Sequence, residues 1–186
     1  GQKNMKIFKQ ITSIVMAVAM AATIIAVNPV DASAKVTIKS GKKIALTVGK
    51  KTTIKVKQKG AKFTSSNKKI ATVTKRGKVT AKRPGACKIV VKVGRSKKSV
   101  PVTVTPPNIT IDKAKNASDK GIEVMWEKSG NRYITGYYVY YSTNAKRGFK
   151  SVKVGNVSRT KIDNLTVGKT YYFKVKAYSK VGKKIY

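Results

Sequence analysis

The sequence predicts an all-β protein: two β-sandwiches in tandem behind a cleaved export leader, the second lacking its last strand. Three observations point there. Short runs alternate apolar and polar residues with a period of two, Gly-containing turns separate the runs at close intervals, and Pro106-Pro107 splits the pattern into two similar halves. With 186 residues and 41% apolar side chains, the chain is long and apolar enough for two cores despite its formal net charge of +36.

The first element is the leader, residues 1 to 34. Gly1 to Asn4 precede the initiator-like Met5 and lie outside any fold. Lys6 and Lys9 form a positive start, and Ile14 to Val27 is apolar throughout except for Thr23. Pro29 breaks the helical tendency, and Ala32-Ser33-Ala34 places small residues where a signal peptidase reads them, so cleavage is expected after Ala34. An uncleaved membrane anchor is the alternative. A span needs roughly 20 apolar residues, which this run does not reach, and no stable membrane span is expected after cleavage. No Cys follows the leader to carry a lipid, and export lowers the case for a nucleic-acid partner.

The second element spans residues 35–105. Ile44, Leu46 and Val48 alternate with Ala45 and Thr47, and Gly49-Lys50-Lys51 turns the chain toward Ile54 and Val56. Ala71 to Thr74 and Val79 to Ala81 flank a turn at Lys75-Arg76-Gly77-Lys78, and a second hairpin is expected to turn near Gly94-Arg95-Ser96. Cys87 shares a strand face with Ile89, Val91 and Val93, which makes it a small core thiol. The blocks Leu46-x-Val48-Gly49-Lys50, Phe63-Thr64-Ser65-Ser66-Asn67, Ile70 to Val73, Gly77 to Lys82, Gly85 to Ile89 and Val100-x-Val102-x-Val104 resemble a bacterial immunoglobulin-like domain of group 2. The resemblance implies a stalk or adhesive module of intimin and invasin type and brings no catalytic residues. Phe63 stands where the family usually has Trp, which keeps the aromatic volume.

Residues 106–107 form a stiff Pro-Pro linker, since proline removes amide donors and fixes φ. In residues 108–186, three further strands alternate about Ile122, Val124 and Trp126, about Tyr137, Val139 and Tyr141, and about Tyr171, Phe173, Val175 and Ala177. Ile122-x-Val124-x-Trp126, Ile134 to Tyr141, and Leu165-x-x-Gly168-x-x-Tyr171-x-Phe173-x-Val175-x-Ala177 are similar to a fibronectin type III domain. That resemblance implies a core Trp126 and a tyrosine corner in which the Tyr171 hydroxyl bonds upstream backbone. The loop Ser179 to Lys184 holds no Arg-Gly-Asp, so integrin binding is not implied. The expected last strand would begin at Tyr186, which reads as the front of a longer protein.

Composition narrows the chemistry. Without histidine the chain offers no imidazole base or ligand, and its single Cys closes no internal disulfide. The carboxylates after the leader are Asp112, Asp119, Glu123, Glu127 and Asp163. Glu123 and Glu127 on one strand would lie about 13 Å apart, beyond either glycosidase spacing. No catalytic residue, cofactor site or metal site is therefore expected. Four Asn-x-Ser/Thr triplets, at Asn108, Asn116, Asn156 and Asn164, matter only in a eukaryotic host.

Residues 35 to 106 hold 22 Lys plus Arg and no carboxylate. Such an excess, dominated by Lys, favours diffuse attraction to polyanions over bidentate base reading. The expected partners are anionic cell-wall polymers or glycans, with non-specific extracellular DNA as a further partner; the alternative is that Lys only keeps strand faces soluble. A second candidate surface joins Tyr138, Tyr140, Tyr172 and Tyr178 with Lys174 and Lys176, all expected to face outward on two neighbouring strands. It would bind glycans, or else merely stabilise the sheet by cross-strand pairing. The functional expectation is a secreted, wall-associated or extracellular, non-catalytic binding or spacing module of a bacterial surface protein. The alternatives are accessory modules of a secreted glycoside hydrolase or peptidase with its catalytic domain downstream, and, more weakly, a cytoplasmic nucleic-acid binder.

Overall fold

Alternation dictates strands, and strands are what form. A computed structural model of the protein describes residues 35–186, and every regular element among them is a β-strand. The leader and the cleavage position after Ala34 lie outside the described residues.

In the first half, β1 (Ile44–Thr47), β3 (Lys62–Ser65), β6 (Gly85–Val93) and β7 (Ser96–Thr105) form one sheet in the order β1-β7-β6-β3. The second sheet is β2 (Lys51–Thr53), β5 (Lys78–Ala81) and β4 (Ala71–Val73), in the order β2-β5-β4. The hairpins expected at Gly77 and Gly94 join β4 to β5 and β6 to β7, with both glycines at positive φ.

The first turn behaves differently from the expectation. The strand after it is Lys51–Thr53, ahead of the alternating Ile54 and Val56. Gly49, at φ 84°, carries the chain from one sheet to the other, since β1 pairs in parallel with β7 while β2 pairs with β5. Ile54 then drops into the core, its amide donating to the Gly77 carbonyl at 2.9 Å, and Val56 forms only an isolated bridge to Ile38.

The core between these sheets is aliphatic: Ile89, Val91, Val100, Val102 and Val104 from the long hairpin meet Val79 and Ala81 of the opposite sheet. Each fully buried Val or Ile removes apolar surface worth roughly 1.5–3 kcal/mol. Cys87 lies on this inward face at 8% exposure, and Phe63 packs at its margin.

In the second half, β8 (Ile111–Ser118), β9 (Gly121–Trp126) and β12 (Arg159–Ile162) form the sheet β12-β9-β8. β10 (Gly136–Ser142), β11 (Lys150–Val154) and β13 (Tyr172–Tyr178) form β11-β10-β13. Trp126 of the first sheet and Tyr137 of the second join the two, with ring centroids 5.4 Å apart and planes tilted by 58°. β8, almost wholly exposed, has two register shifts against β9 and carries Asp112, Lys113 and Lys115, features that discourage pairing at an open edge. Past β13 a short hairpin pairs β14 (Lys180–Val181) with β15 (Lys184–Ile185), and Ser179 and Tyr186 exchange backbone hydrogen bonds at 3.0 Å.

Candidate binding surfaces

The outward face of the four-stranded sheet gathers charge by register. Lys62 on β3 lies directly opposite Lys92 on β6, and Lys92 lies opposite Lys97 on β7. Paired residues of antiparallel strands share a face, at Cα separations of about 5 Å. Three exposed ammonium-bearing residues thus stand in a row across three adjacent strands. Thr64, Lys88 and Ser99 occupy exposed positions along the same strands. Residues 35–105 contain no carboxylate. Like charges directly opposite one another repel, so this row opposes sheet formation rather than assisting it.

The sequence carries the number of these lysines but not the row they form. Alternation places each of them outward, but Lys62 and Lys92 are brought together by β3–β6 pairing between segments far apart in the chain. The only local signal is the Gly94-Arg95 turn, which sets Lys92 against Lys97.

The second surface is assembled as the alternation implies. Tyr138 pairs with Lys176, Tyr140 with Lys174, Gly136 with Tyr178 and Ser142 with Tyr172, so all six candidate residues lie on one face of β10 and β13. Their accessibility differs from the expectation. Tyr172 is 44% exposed, whereas Tyr178 is buried at 8%. The cause is local: Gly136 opposite has no side chain, and a Cβ there would lie 2.8 Å from the Tyr178 hydroxyl oxygen. The ring lies in that space, with its centroid 5.1 Å from that of Tyr138 and the Lys153 ammonium 4.7 Å away.

The lysines of this face are also engaged. Lys176 Nζ is 5.8 Å from the Tyr140 ring centroid, and Lys174 Nζ is 3.9 Å from that of Phe149. Such contacts stabilise the sheet by fractions of a kcal/mol to about 1 kcal/mol each at exposed positions. A groove of about 620 Å³ runs beside the face, lined by Pro107, Tyr138, Tyr140, Lys174, Lys176 and Tyr186 among others.

Two of the five carboxylates after the leader, Glu123 and Asp163, have ion-pair partners. Lys115 pairs with Glu123 at 3.3 Å and Lys161 with Asp163 at 3.0 Å. Burial pushes the Cys87 thiol above its ordinary pKa, which suppresses the reactive thiolate. The Tyr171 hydroxyl accepts the Thr166 amide at 2.9 Å, closing the loop between β12 and β13, and that N–H holds the phenol below its ordinary value.

Residues 26–104 match the bacterial Ig-like domain (group 2) family, and residues 104–186 match the fibronectin type III domain family. The first match begins within the stretch read as leader. A curated relative, the tyrosine-protein phosphatase Lar of Drosophila melanogaster, is 30% identical over 101 residues, covering 48% of this chain and 5% of that protein. The chain therefore spans only a small part of the relative's length. Among solved structures, a two-domain fibronectin type III segment of chicken tenascin covers 81% of this chain and 92% of its own at 13% identity and a TM-score of 0.43. Domains 4 and 5 of the S-layer protein SbsC cover 82% and 93% at 18% identity and a TM-score of 0.35. Modules of these two kinds are typically binding or structural units rather than catalysts. The chain carries a bacterial Ig-like domain of group 2 followed by a fibronectin type III domain.

Proposed function

We propose that the protein works outside the cell as a non-catalytic spacer and anchor of a bacterial surface, held by its first domain to anionic polymers of the wall. The observation that carries this reading is the distribution of charge: 22 basic residues and no carboxylate over residues 35 to 106. The field of such a domain attracts polyanions from any direction. The leader-like stretch before Lys35 and the pairing of an Ig-like with a fibronectin type III domain support an extracellular setting.

Sedimentation with purified cell walls tests the proposal. Walls retaining their teichoic acid should carry the protein down, and walls stripped of it should not. Equal retention on both would refute an anionic polymer as the partner. The tyrosine and lysine face of the second domain belongs, in this reading, to the sheet's own stability. The support is that Lys153 covers the Tyr178 ring and Lys176 lies over Tyr140, leaving less aromatic face free to stack on a sugar.

A further inference from the structure

The row Lys62, Lys92 and Lys97 is costly as structure, and the cost has no local compensation. Neighbouring strands hold its members about 5 Å apart at Cα, with all three side chains on the exposed face. Both ion pairs among the described residues lie in the second domain, and the first has no carboxylate to form one. Lys on an outward face for solubility alone would need no partner position: any register keeps it wet, and alternation with Thr or Ser would avoid the repulsion.

We propose that this row is a defined docking track for a linear polyol phosphate, a flexible chain with one phosphodiester per repeat and hydroxyls between. The inference rests on the reading of the first domain as a polyanion anchor and locates the anchor. Phosphates seated over Lys62, Lys92 and Lys97 relieve their mutual repulsion, so the bound state recovers what the free sheet loses. The chain crosses the strands of β3, β6 and β7, and the hydroxyls of Thr64 and Ser99, which pair with Val90 from either side, lie beside the track to meet the polyol.

The face favours this polymer over nucleic acid. Single-stranded nucleic acid is held by aromatic platforms, and the outward positions of β3, β6 and β7 carry Lys, Thr, Ser, Ala, Val and Pro but no aromatic residue. Duplex DNA is read by an element entering a groove, often with Arg, and the outward positions of these paired strands carry no Arg.

The test measures binding of the full chain to synthetic poly(glycerol phosphate) at several salt concentrations. It compares the wild type, the variant Lys62→Gln/Lys92→Gln/Lys97→Gln, and a variant of equal charge loss outside the strands, Lys42→Gln/Lys59→Gln/Lys75→Gln. The track variant should lose about tenfold or more in affinity, and its log–log salt slope should become shallower by about 2, the value for three phosphate contacts on a flexible chain. The control variant should lose at most about threefold. The track variant should also melt no lower than the wild type, and higher if repulsion dominates, which excludes misfolding as the cause.

Equal losses in the two variants would overturn the track and leave the diffuse anchor standing. Absence of wild-type binding would overturn both. Binding of a duplex DNA oligonucleotide with equal affinity and equal dependence on the three lysines would overturn the choice of polymer.

Discussion

The hydroxyl of Tyr171 accepts a hydrogen bond from the amide of Thr166 at 2.9 Å, tying the start of β13 to the loop that precedes it. Leu165, beside Thr166, is buried in the core with Trp126 and Val175, so this bond fixes where the loop enters the packed interior.

Tyr171→Phe keeps the ring and leaves the Thr166 amide without its partner, so thermal unfolding of the second domain should shift down by several degrees. Its pH dependence has a definite sign. The amide lowers the phenol's pKa on folding, so ionisation adds stability above the unfolded value and loses it as pH falls through the folded one. The gap between wild type and Tyr171→Phe should therefore widen at strongly alkaline pH. Melting curves at neutral and alkaline pH check this, and a constant gap would contradict it.

Gly77 and Gly94 both turn hairpins at positive φ, yet they should respond differently to Ala. A Cβ at Gly77 would lie 2.7 Å from the Ile54 carbonyl oxygen and 2.9 Å from the Phe63 ring, whereas one at Gly94 meets nothing within 4 Å. Gly94→Ala should cost about 1 kcal/mol for its backbone alone, and Gly77→Ala about 3 kcal/mol once the clash is added. Urea titration of both variants measures the difference; equal costs would mean the β4–β5 turn gives way freely.

Cys87 should be silent in the folded protein. At 8% exposure and with its pKa raised by burial, it should react with a disulfide reagent at neutral pH only after unfolding. Raised on folding, the thiol favours its neutral form, so its contribution is present below the unfolded pKa and lost as pH rises through the folded one. Rapid labelling in native buffer would show that the β6 face opens.

Between about pH 6 and 8 stability should be nearly flat, since the chain has no histidine to change charge there. Unfolding midpoints at several pH values in this window check it. A steep slope would require a side chain other than histidine to titrate there.

Much of this was legible in the sequence. Alternation located β6, β7, β9, β10 and β13, because each carries its apolar residues two apart toward a single core. The tyrosine corner follows from the resemblance of the block Leu165-x-x-Gly168-x-x-Tyr171 to a fibronectin type III domain, and the Tyr171 to Thr166 bond is its counterpart in the structure. Other features depend on partners distant in the chain. β2 forms before Ile54 because its pairing with β5 selects Lys51–Thr53. The burial of Tyr178 depends on Gly136 lying opposite it and on Lys153 covering its ring. The lysine row depends on register, which composition does not encode.

The central claim is electrostatic attachment of the first domain to a wall polyanion. Its most direct measurement is the affinity of the full chain for poly(glycerol phosphate) as a function of salt. Binding that falls linearly on log–log axes with a slope of about −2 or steeper is predicted, as expected when three or more phosphates are neutralised. Affinity that is unchanged by salt would contradict the account.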